Sequence, residues 1–519
     1  MRESNDCLSS RSQRKSIGET LGALIHDSSS RRIVALATFA FFISFVIWFD
    51  MAPFALSIGK ELHLSKLELG ALALSNLALA VPGRVAAGRL LDRFGPRRVY
   101  GWLLIGAFIP NTWFSLAHSF SSLVLSRLVL GLVGSGFVVG IRLVAEWVKP
   151  TQIGIAEGIY GGWGNFGSAG ASLVLPIIVS SFFHGPGAWR WGVFSAGLLG
   201  LIYGVIFLVY VRDTPEGMAY IRPAKVSALM VTSRKAIVGL SILQVPLIVI
   251  LGVVASRLTS AHVFSSTTAL VIYIALGALL VYQVGAVIRT NDDVIRNRPS
   301  LPPYRFSSIV ILSCAYAVTF GTELTMVSLL PTYFGATFGL KIAAAGIAGS
   351  AFAFTNLVTR PGGGLLSDMS KSRRATLMWF LIGAAFTFVI LSGMSKSWPL
   401  PLGIALIALA SVFIQGGNGA VFAMVPLIEK EVTGQAAGLV GAYGNFGGLV
   451  LSSLLYYTAT KTSIGNVHVM FITIAIGAMI VAFLTRFLPN FTSKECLIDE
   501  PEQTMSTGIM PVEIESISS

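Results

Sequence analysis

The chain has 519 residues, 54% of them hydrophobic and only 12% charged, against the roughly 25% charge usual in soluble domains. Crossing a hydrocarbon core of ~30 Å takes ~20 apolar residues, so a chain of mean hydropathy +0.76 and this length holds a dozen or more spans and no large soluble catalytic domain. The net charge of +13 fits loops facing anionic lipid better than a nucleic-acid partner, and the scattered Cys7, Cys314 and Cys496 leave no spacing for a metal, redox or other cofactor site.

Residues 1–31 read as a polar cytoplasmic tail. The first apolar run starts behind Arg31 and Arg32 and reaches residue 56, too long for a signal-peptide core. Runs at 70–91, 99–117, 123–148, 154–180 and 192–211 follow and complete a six-helix bundle over 32–212. A central linker, 213–305, contains two further runs at about 236–255 and 269–288. Six more, at 307–330, 343–366, 375–393, 402–427, 434–457 and 469–488, form a second bundle over 306–489. The acidic tail 490–519, with Asp499, Glu500, Glu502, Glu513 and Glu515, ends the chain. The expected fold is an all-α polytopic membrane protein of fourteen spans, read as six plus two plus six. Arg93, Arg97 and Arg98, then Arg234 and Lys235, then Lys371, Arg373 and Arg374 fall on one side, while opposite loops carry isolated charges such as Lys60, Lys341 and Lys461. The positive-inside rule puts both termini in the cytoplasm of a cell-membrane protein.

Two motifs of the first half recur in the second. Arg84, Gly88, Asp92, Arg97 and Arg98 return as Arg360, Gly364, Asp368, Arg373 and Arg374, each 276 residues later. Gly158, Gly161, Trp163, Gly164, Asn165, Phe166 and Gly167 return as Gly438, Gly441, Tyr443, Gly444, Asn445, Phe446 and Gly447, each 280 later. Such register implies two six-helix halves related by an axis along the membrane normal, with a substrate site between them near the midplane.

Arg84 lies eight residues before Asp92, the expected end of its span, which places it about 12 Å deep at ~1.5 Å per residue. Arg360 sits at the matching depth. An arginine there costs at least ~2.5–3.5 kcal/mol and persists when it faces a partner or a watery cavity. Neither helix offers a carboxylate within one turn of its arginine, and two such cations ~7 Å apart repel by roughly 2 kcal/mol at an effective dielectric near 20. An anion between them reverses the sign; a structural salt bridge is the other reading. The glycine stripes Gly161, Gly164, Gly167 and Gly441, Gly444, Gly447 let backbones approach and slide, or serve small-residue packing alone. Asn165 and Asn445 would bring amide donors beside the guanidinium groups, since an amide in lipid needs a polar partner. Arg142 and Glu146, four residues apart, suggest a local ion pair shared with Asp92.

Gly88, Asp92, Arg93, Gly95, Arg97 and Arg98 resemble the cytoplasmic loop signature of the major facilitator superfamily, and Arg127, Gly131 and Gly134 resemble its fourth-helix motif. The paired arginines, the RPGGGLLSD run at 360–368 and the twin GNFG segments resemble, more narrowly, the nitrate/nitrite porter family. The resemblance covers the twelve core helices; the inserted pair is similar to one bacterial branch. It implies a monomeric carrier, not an enzyme, that takes up nitrate and nitrite by alternating access, with Arg84 and Arg360 binding the anion and Asn165 hydrogen-bonding it. The YAVTFG stretch at 316–321 matches the family's seventh-helix pattern, which implies that Tyr316 reaches the substrate and Phe320 forms a wall. Phe137 and Phe49 are further walls or plain core. Asp368 and Arg373 belong with the cytoplasmic gate. Glu323, one turn beyond Phe320, and Asp50 are candidates for proton coupling or, alternatively, hydrogen-bonded residues of the outer mouth. A facilitator of another small or organic anion, or a nitrate-binding membrane sensor, are the rival readings.

Overall fold

The computed structural model describes residues 28–491, apart from 186, 224, 341 and 459–466. The tail expectations for 1–27 and 492–519, and the loop cations Lys341 and Lys461, lie outside the described residues. The longer helices are α1 (Ser28–Phe49), α2 (Lys66–Ala78), α3 (Ala80–Phe94), α4 (Pro96–Ser115), α5 (Phe120–Leu130), α6 (Gly136–Trp147), α7 (Ile153–Asn165), α8 (Gly167–Phe182) and α9 (Ala188–Tyr210) in the first half. The linker supplies α10 (Arg234–Ser260) and α11 (Ser266–Thr290). The second half contains α12 (Phe306–Phe338), α13 (Ile342–Phe354), α14 (Asn356–Met369), α15 (Arg373–Ser392), α16 (Leu400–Phe422), α17 (Thr433–Thr458) and α18 (Val467–Leu484).

Local chemistry sets the ends. Ser65 and Glu68 form a reciprocal capping box on α2, and Ser119, Ser233 and Ser265 cap α5, α10 and α11 by accepting a backbone N–H. Gly95 stops α3 at φ +84, a left-handed backbone that side chains disfavour, and Pro96 then opens α4. Large apolar side chains such as Ile109, Ile177, Val209, Val281 and Trp379 point outward, as a hydrocarbon solvent demands.

Twelve segments among the described residues are long and apolar enough to cross a membrane. The two remaining expected spans are helical as well: α4 begins with Arg97 and Arg98, and the α13–α14 pair, interrupted at Thr355, carries Arg360 and Asp368 in its second helix.

The halves meet along two seams. In each, the arginine-bearing helix of one half packs on the glycine-rich helix of the other: α3 on α17 and α14 on α7. A Cβ on Gly88 would lie 2.5 Å from the Gly434 carbonyl oxygen, and one on Gly364 only 1.9 Å from that of Gly154, so both backbones touch without side chains between them. The inserted α10 lies beside α2 and α17, where Tyr443 donates its hydroxyl to the Leu243 carbonyl at 2.8 Å.

Candidate anion site

Arg84 and Arg360 are fully buried, 0% and 1% exposed, and each reaches across to the opposite half. Arg84 Nε donates to the Gly134 carbonyl at 3.1 Å and Nη1 to the Gly441 carbonyl at 2.7 Å. Arg360 packs on Gly161, where an added Cβ would sit 2.5 Å from Nε, and its Nη2 donates to the Tyr316 hydroxyl at 3.2 Å. One nitrogen of each guanidinium, Nη2 of Arg84 and Nη1 of Arg360, has no hydrogen-bond partner.

Phe137 and Phe320 draw the two cations together. The Arg84 Cζ lies 5.2 and 4.9 Å from their ring centroids, and the Arg360 Cζ 5.2 and 5.9 Å. Each such contact contributes on the order of 0.5–2 kcal/mol when desolvated. Tyr316 stacks on Phe320 at 4.9 Å with an interplanar angle of 3°. Phe49 stands further off, packed on Phe45 at 5.4 Å.

The expectation that no resident acid accompanies the arginines is corrected on one side. Glu323 enters from α12, and its Oε2 lies 3.7 Å from Arg360 Nη1. Three asparagine amides hold that carboxylate: Asn165 at 2.9 Å, Asn356 at 2.6 Å and Asn418 at 2.6 Å. Asn165 is therefore turned to Glu323, whereas both polar atoms of the buried Asn445 are unpartnered. Asn356 and Asn418 escaped sequence reasoning because neither belongs to a repeated motif. A cavity of about 20 Å³ adjoins Glu323, lined also by Phe45, Phe49, Asn165, Ser168 and Asn356, room for about one water.

The other expected proton carrier, Asp50, is buried and ion-paired with Arg127, whose guanidinium stacks 4.1 Å from the Phe114 ring. It does not join the paired arginines. Arg142 and Glu146 pair at 2.7 Å, but Arg142 otherwise bonds the carbonyls of Lys430 and Ile221, and Asp92 takes a different partner.

At one end of the seams the two motif aspartates cap the opposite half. Asp368 accepts the N–H groups of Gly154 and Ile155 at 3.0 and 2.8 Å, and Asp92 that of Gln435 at 3.2 Å, an arrangement that satisfies the free donors at a helix start. Arg373 pairs with Asp368 at 2.7 Å. Its counterpart Arg97 instead donates to the Leu208 carbonyl and places its N–H on Asp213. Arg93 and Arg98 stay exposed. Gly164 and Gly167 let α7 and α8 press on Phe41 and Phe42, as Gly444 and Gly447 let α17 press on Tyr316 and Ala317.

The family model of the Major Facilitator Superfamily matches residues 34–290 and 311–503. A protein of Nostoc punctiforme named nitrate/nitrite transporter NrtP is 42% identical over 475 residues, covering 90% of this chain and 94% of its own. The NrtP of a Picosynechococcus species is 38% identical, covering 96% and 99%. A probable nitrate/nitrite antiporter NarK1 of Thermus thermophilus is 27% identical, covering 86% and 89%. Among solved structures, the proton:xylose symporter XylE matches with a TM-score of 0.60 at 14% identity over 91% of this chain and 99% of its own, a likeness of fold. The chain belongs to the major facilitator superfamily and, within it, to the family of the NrtP nitrate/nitrite transporters.

Proposed function

We propose that this chain carries nitrate, and nitrite, into the cell by alternating access, the anion lying between Arg84 and Arg360. The carrying observation is the pair of matched, buried guanidiniums, each with an unbonded nitrogen, over the same two aromatic faces. Nitrate is flat and weakly hydrated; planar guanidinium forks suit its in-plane oxygens and aromatic rings suit its faces. Asn445, with its amide unpaired, is the better placed of the two motif asparagines to donate to it. An anion draws together halves that two bare cations push apart, which ties closure to occupancy.

Uptake against an inside-negative potential costs about 2.3 kcal/mol per charge per 100 mV, so a second ion must move. Glu323 supplies a counter-ion swap: with its carboxylate ionised it stands by Arg360, and once protonated it leaves that cation to the incoming anion. The protein then works as a monomeric carrier in the cell membrane, with bundles over 32–212 and 306–489, fourteen spans and both termini in the cytoplasm.

Labelled nitrate uptake into vesicles tests this, with a pH gradient, a voltage or internal nitrite imposed separately. Uptake should follow the acid-outside gradient. Arg84→Lys and Arg360→Lys should each lower it about 30- to 150-fold, the loss expected for a charge-assisted hydrogen bond of ~2–3 kcal/mol. Equal transport of larger organic anions, tight nitrate binding without flux, or undiminished uptake in either variant would defeat the assignment; a drive from internal nitrite alone would remove Glu323 from it.

A further inference from the structure

Glu157 lies on α7 between two features already described. Gly154, three residues earlier, is capped by Asp368, and Gly161, four residues later, packs on Arg360. At ~1.5 Å per residue the carboxyl group is about one helical turn from each. Glu157 is 1% exposed, and neither carboxyl oxygen has a hydrogen-bond partner. The second half has Ala437 at the matching position, also buried, so the repeat itself does not call for an acid here.

The helices packed against α7 account for their own charges. On α14, Asp368 is taken by two N–H groups and by Arg373, and Arg360, packed on Gly161 one turn from Glu157, bonds Tyr316 and stands 3.7 Å from Glu323. On α6, Arg142 is paired with Glu146. On α1, Arg31 and Arg32 lie at the exposed start of the helix. Tyr160, on α7 itself, bonds the carbonyls of Gly136 and Phe137, and α8 and α16 contain no ionisable side chain. A carboxylate stripped of water and given no donor is far costlier than the neutral acid.

We infer that Glu157 is a proton-binding site loaded from the Asp368 end, its occupancy tied to closure of that end. The inference rests on the alternating-access reading above. With the α7–α14 seam closed, Glu157 carries a proton. When the seam parts, water enters, the carboxyl O–H bond breaks, the proton passes to that water and the electron pair stays on the carboxylate facing Arg360. Reclosure requires a proton to return from the same side. Acid at that face therefore favours the closed form, and alkali the open one.

The test uses the full chain in nanodiscs with spin labels at Lys149→Cys and Lys371→Cys, two exposed positions at the capped ends, after the three native cysteines are replaced by serine. Across the interval in which the site titrates, the ratio of open to closed separations should rise up to tenfold per pH unit, as release of one proton requires. In Glu157→Gln, and in Glu157→Ala, which copies the residue at position 437, the ratio should be flat; in Glu157→Asp the slope should return with a displaced midpoint. A wild-type ratio indifferent to pH, or a slope that survives in Glu157→Gln, overturns the inference, the latter moving the proton to Asp92 or Asp368. These distances are read without substrate, so a failure of nitrate uptake in wild type would sink the functional reading separately.

Discussion

Arg84 and Arg360 stand at matching places in the two halves and are surrounded differently. Arg84 is bonded to two carbonyls, Gly134 and Gly441, while Arg360 has a hydroxyl, Tyr316, and a carboxylate, Glu323, at 3.7 Å. The repeat supplies a pair of cations, and the departure from the repeat makes one of them conditional on an acid. The contrast is open to a stability measurement. Arg360→Gln should destabilise the purified protein by about 3 kcal/mol, because it strands a buried carboxylate, and adding Glu323→Gln should restore much of that loss. Arg84→Gln should leave melting unchanged or raised, since it removes a cation with no acid beside it. Equal losses in the two single variants would show that the environments do not differ energetically.

A second contrast is smaller. A methyl group on Gly161 would meet Arg360 Nε at 2.5 Å, whereas one on Gly441 would meet Arg84 Cδ at 3.2 Å and Val138 Cγ2 at 3.1 Å. Gly161→Ala must therefore displace a guanidinium and should cut uptake about tenfold, as ~1–2 kcal/mol of overpacking implies. Gly441→Ala asks only for small adjustments and should stay within a few-fold of wild type; kinetics of uptake in the two variants, with their order reversed, would contradict the geometry.

The smallest effect is expected outside the bundles. Asp293 follows α11 and bonds Lys225 and Ser300. Burial opposes its charge, but the hydrogen bonds from Ser300 and Lys225 prevail and bring its carboxyl from 3.8 down to about 2. A lowered value means that the linkage stabilises the fold above the ordinary 3.8 and is lost as pH falls toward 2. Thermal melts on acidification should show a slightly steeper fall in wild type than in Asp293→Asn; parallel curves would remove the linker from the acid response.

The repeated motifs made the arginines, their capping aspartates and their glycine helices legible in the sequence, since each is a spacing within one helix. Glu323 was visible as one turn from Phe320, but its nearness to Arg360 was not: the two lie on different helices, and no intrahelical spacing encodes which side chains of α12 and α14 meet. The asparagines were legible as amides needing partners, yet the partner of Asn165 turned out to be a protein carboxylate. Glu157 was missed inside a glycine-rich motif. Comparing the halves position by position would have exposed it, because an acid stands there opposite an alanine.

Each arginine is sheltered by glycines that belong to the other half. A single half on its own would leave a guanidinium against lipid tails and a bare glycine groove with nothing to fill it. Either repeat could be stable only alongside a second copy, so the tandem chain is in effect a dimer fused into one polypeptide. Drift in one half is thereby answerable to the other: enlarging Gly161 in the first half displaces the cation borne by the second.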